Sequence, residues 1–67
     1  MRYSAIATPP LPIGQILIRT SDYATAIIDD VELRGSWYYL VSFNQERTWL
    51  SASTLRYQGF VPIEQAF

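Results

Sequence analysis

The stretch that most constrains this chain is residues 37–43, WYYLVSF, in which six of seven side chains are aromatic or aliphatic. Aromatic and β-branched residues crowd against a helical backbone but pack well on a pleated surface, so the run predicts a strand. Successive strand side chains point to opposite faces, so Tyr39, Val41 and Phe43 share one face with Trp37, while Tyr38, Leu40 and Ser42 share the other. Both sets are largely apolar, and periodicity alone leaves open which is inside. With ten aromatic residues in 67, some ring surface is expected to remain exposed.

The rest of the chain reads as more short strands separated by turns. Residues 15–19, QILIR, form one, bounded by Gly14 and by Thr20, Ser21 and Asp22. Over 23–33, Ala24, Ala26 and Ile28 alternate with Tyr23, Thr25 and Ile27 until Asp29, Asp30 and Glu32 interrupt the pattern, which predicts a bend. Arg34, Gly35 and Ser36 make a tight turn, and residues 44–47 a polar hairpin turn. Residues 48–51 give a fourth strand, 52–55 one helical turn capped by Ser51 or Ser53, and 57–63 a closing edge strand that tolerates Pro62. No segment has sustained helical periodicity. The expected fold class is therefore all-β: a small, half-open, five-stranded SH3-like barrel over 15–67, with one short 3-10 turn before the last strand. Residues 1–14, with Pro9, Pro10 and Pro12, read as an extended strap.

Composition removes several classes of function. A chain of 67 residues holds one core at most. With 49% hydrophobic and 16% charged residues, it is too apolar for a disordered segment. Cys and His are both absent, which excludes disulfides, thiolate or imidazole metal ligands, cysteine nucleophiles and histidine bases. Lys is absent too, and adjacent Asp29 and Asp30 point to opposite sides of a strand, a poor start for acid–base work. The chain reads as a non-enzyme with no cofactor and no metal. No run approaches the length of a membrane span, and residues 1–12 lack a leader pattern, so a cytoplasmic protein without membrane contact is expected.

Residues 37–55, WYYLVSFNQERTWLSASTL, resemble the central hairpin of Tudor and chromo-type barrels: a Tyr-Leu-Val-x-aromatic strand, a short turn, a Trp, then a helical turn ending in Leu. The resemblance implies core or hairpin-packing roles for Trp49 and Leu55. It places Phe43 where chromo-type modules have one wall of a methyl-lysine cage, with Tyr23 a candidate second wall. The expected role is a non-catalytic protein-interaction module or small accessory subunit, binding through an exposed aromatic and arginine face built from Tyr23, Trp37, Tyr39, Phe43 and Arg47. The expected partner is a protein, with self-association included. The alternative is a nucleic-acid-binding small barrel, which the net charge of −1 does not favour.

Overall fold

A computed structural model describes residues 10–67. Five strands form one antiparallel sheet: β1 (Ile16–Arg19), β2 (Thr25–Arg34), β3 (Ser36–Phe43), β4 (Glu46–Ser51) and β5 (Phe60–Pro62). Their order across the sheet is β4-β3-β2-β1-β5. The helical turn expected ahead of the last strand is a six-residue α-helix, α1 (Ala52–Tyr57), and the 3-10 turn (Ile63–Gln65) follows β5. The expected strap, 1–14, falls mostly outside the described residues. Its last part makes a bend and a turn, with Leu11 packed on the core.

Each connection has a local cause. Gly35, at φ 72°, alone separates β2 from β3, in a left-handed conformation that a Cβ would penalise. Asn44 and Gln45 both have positive φ, as a two-residue hairpin turn matching strand twist requires. Ser51 caps α1: its hydroxyl oxygen accepts the Thr54 amide at 3.2 Å. Where Asp29 was expected to mark a bend, the register of β2 against β3 shifts between Ile28 and Asp30, a β-bulge. Before the bulge β2 pairs with both β1 and β3; after it, with β3 alone.

One face of the sheet, together with α1, encloses the core: Leu17, Ala26, Ile28, Tyr39, Val41, Leu55 and Phe60. Fully burying side chains of this size contributes roughly 1.5–3 kcal/mol each before entropy is counted. The Tyr39 set of β3 is thus the inner one. The expected barrel is less complete than its strand count suggests. β4 and β5 do not pair with each other, so the sheet is a small, barrel-like layer not closed by hydrogen bonds. α1 carries the chain from one edge to the other, which removes the direct neighbourhood that closure would need.

Candidate functional site

Two arginines sit over aromatic pairs, one on each face of the sheet. On the inner face, Phe43 and Phe60 meet edge to face with centroids 5.5 Å apart, and the Arg19 guanidinium carbon lies 5.0 Å from the first ring and 5.7 Å from the second. The β1–β2 turn sets its aim. Arg19 donates its amide to the Ala24 carbonyl at 2.8 Å and accepts the Tyr23 amide at 2.7 Å, with Tyr23 left-handed at φ 62°. Within that turn Asp22 accepts Arg19 Nε at 2.9 Å, Arg19 Nη2 at 2.7 Å and the Ala24 amide at 3.1 Å. These hydrogen bonds, the Arg19 one above all, hold the Asp22 carboxyl down to about 2.

The outer face follows from the register. Side chains directly opposite in antiparallel strands share a face, so Ile16, Ile27, Ser42 and Arg47 form one row across β1 to β4. Asp30, Leu40 and Trp49 form the next, and Glu32, Tyr38 and Ser51 the one after. Arg34 sits over this surface, its guanidinium carbon 5.5 Å from the Tyr38 ring centroid and 5.3 Å from that of Trp49. Arg34 Nε also donates to Glu32 at 2.7 Å. Further along, Arg47 Nε donates to Asp29 at 3.1 Å. Ile16 and Ile27, opposite one another, are 41% and 45% exposed, which makes an apolar extension of the same face.

Of the residues expected to form one exposed face, only part is assembled. Tyr39 has no exposed surface and belongs to the core, so its expected place on an outward face is corrected. Trp37 and Phe43 share its parity and pack against the core, because the inner face needs the larger set of side chains to fill the space beneath α1. Arg47 lies on the opposite face. Tyr23 is 65% exposed at the β1–β2 turn, and its ring stacks on Phe67 at 6.5 Å rather than joining Phe43. The second ring beside Phe43 is Phe60, and the cation position over that pair is filled by the chain's own Arg19. Sequence reading missed Tyr38, Trp49 and Arg34 as a group. The available signal was parity: Tyr38 and Leu40 oppose Tyr39 in the alternation, and a two-residue turn at Asn44–Gln45, in place of the expected 44–47, puts Trp49 opposite Leu40.

The Tyr39 hydroxyl is buried without a hydrogen-bond partner among the described residues. Burial pushes this phenol's titration up, while the nearby Leu11 backbone pulls the other way without making a well-formed bond. A cavity of about 520 Å³ lies next to it, walled by Leu11, Leu55, Phe60 and Pro62. Among the described residues, no helix is long and apolar enough to cross a membrane. The chain matches no family model, no curated protein and no solved structure.

Proposed function

We propose that this chain is a non-catalytic protein-interaction module whose binding surface is the outer face of β2, β3 and β4, centred on Arg34, Tyr38, Leu40 and Trp49. The observation that carries the reading is the pair of partly exposed rings beneath an exposed Arg34 on the outer face. Tyr, Trp and Arg bring large contact area and directional donors at modest entropic cost, and they dominate the centres of protein interfaces. Ile16 and Ile27 extend that area with aliphatic surface. The Tudor and chromo-type likeness supports the module role but not methyl-lysine recognition, since Arg19 already occupies the position over Phe43 and Phe60. Service as an accessory subunit of a larger assembly fits the same face.

A phosphate-binding role is less favoured, because Arg19, Arg34 and Arg47 each hold a carboxylate of the same chain. The test is affinity capture from the native source with the wild-type chain, Tyr38→Ala and Arg34→Glu, alongside thermal melts. A partner retained by the wild type and lost by both variants at nearly unchanged melting temperature supports the outer face. Equal capture by all three, or salt-sensitive binding of labelled oligonucleotides at low ionic strength, overturns it.

A further inference from the structure

The two edges of the sheet are defended very differently. β5 is three residues long, ends in Pro62 and runs straight into a 3-10 turn. β4 is six residues, ERTWLS, with no Pro, Gly, Lys or bulge along it. Natural sheets blunt an edge with those devices because unpaired backbone groups recruit another strand.

The hairpin turn shows which groups of β4 are free. A two-residue turn at Asn44–Gln45 makes Phe43 and Glu46 the closing hydrogen-bonded pair, and the antiparallel ladder alternates from there. Glu46, Thr48 and Leu50 therefore direct their backbone groups to β3, whereas Arg47 and Trp49 direct theirs outward. Ser51 is committed at its carbonyl end to α1, as the cap residue of that helix. Among the described residues, Arg47 and Trp49 together offer two N–H and two C=O groups to a visitor.

We infer that β4 pairs antiparallel with β4 of a second copy of this chain, about a two-fold axis at Thr48. In that register the outward groups of Arg47 meet those of Trp49 in the second copy, and the reverse, giving four backbone hydrogen bonds that use every outward backbone group of these two residues. Side chains opposite one another stay on the same face. Each Arg47 guanidinium thus faces a Trp49 ring of the other copy, and the two Thr48 side chains, both exposed on this edge, form a threonine pair. Like charges are never directly opposed, since Glu46 faces Leu50. This self-complementarity selects a second copy over an unrelated strand. The resulting two-fold contact is isologous and closes, so it ends at a dimer rather than a fibre. It uses the strand edge and meets the proposed outer face only at Trp49 and Arg47, leaving Tyr38 and Arg34 to another partner.

Sedimentation of the full chain over a wide concentration range tests the pairing. A reversible monomer–dimer equilibrium is expected. Thr48→Lys, which places two ammonium groups opposite each other at an exposed position, should weaken it roughly fivefold or more, with partial recovery in high salt. Because the chain lacks cysteine, Thr48→Cys introduces a unique thiol. At a non-hydrogen-bonded pair, whose Cα atoms lie about 4.5 Å apart, it should cross-link two copies on mild oxidation far faster than Ser53→Cys does. A monomer at all concentrations, a Thr48→Lys chain that dimerises like the wild type, or equal cross-linking of the two cysteine variants overturns the inference. Loss of capture by Tyr38→Ala with dimerisation intact bears on the outer face alone.

Discussion

Arg19 and Arg34 perform the same chemistry in two settings. Each rests on two aromatic rings and is tied to a carboxylate near it in sequence, Asp22 in one case and Glu32 in the other. The difference is what lies beneath. Under Arg19 the rings are Phe43, which packs on the core, and Phe60, which is part of it. Beneath Arg34 the rings are Tyr38 and Trp49, half-buried on the far side of the sheet, and the Arg34 side chain is itself half exposed. The first cluster seals the mouth of the core; the second dresses a surface. An arginine over aromatic rings is therefore not in itself a binding signature: the depth of the rings decides whether it closes the fold or waits for a partner.

Truncation should separate the two regions most sharply. Phe60→Ala is expected to cost about 3–5 kcal/mol, as for other large core side chains, whereas Trp49→Ala should cost about 1 kcal/mol; urea unfolding of both variants reads the difference directly. A smaller effect of opposite sign is expected inside. Tyr39→Phe removes a buried hydroxyl that has no partner among the described residues, and should stabilise the chain by about 1 kcal/mol, while Tyr38→Phe on the outer face should be neutral. The arginines themselves come next. Arg19→Ala should lower the melting temperature clearly, whereas Arg34→Ala should remain within about 0.5 kcal/mol of wild type. If Arg34→Ala proves the more damaging, the assignment of the two clusters is reversed.

The smallest effect is in pH. Asp22 is held to about 2 in the folded chain against an ordinary value of 3.8. A carboxyl depressed on folding adds stability that is fully present above its ordinary value and is lost as pH falls through the folded one. The Arg19–Asp22 link should therefore persist at pH 4 and fade between about 3.8 and 2, and Asp22→Asn should abolish that dependence. Carboxyl-detected NMR titration and melts across this window check it. A single transition near 4 for Asp22 would show that the turn does not hold the guanidinium.

Much of this fold was legible because local chemistry and tertiary structure agree. Alternation located all five strands, Gly35 and the Asn44–Gln45 turn matched backbone conformations few residues adopt readily, and Ser51 was a visible cap. The site was less legible for a definite reason. Tyr39, Val41 and Phe43 compete with Tyr38 and Leu40 for the interior, and both sets are apolar enough to win. What decides is the cover supplied by α1 and by Phe60, far along the chain. The cluster around Arg19 is harder still, since its rings stand at positions 43 and 60 and meet only once β1 lies against β5. Parity can be read from neighbours; convergence of three distant segments cannot.

The bulge in β2 governs more than curvature. With one supernumerary residue, Asp29, the strand presents Ile28 to the interior on one side of the irregularity and Val31, opposite Tyr39, on the other. Without that residue Ile28 and Asp30 would become consecutive rungs against Val41 and Leu40, and the alternation beyond them would keep its phase. Asp30, Glu32 and Arg34 would stay on the outer face and Val31 on the inner one. What a deletion at position 29 should remove is the local bend and added twist, together with the carboxylate that holds Arg47 from two strands away.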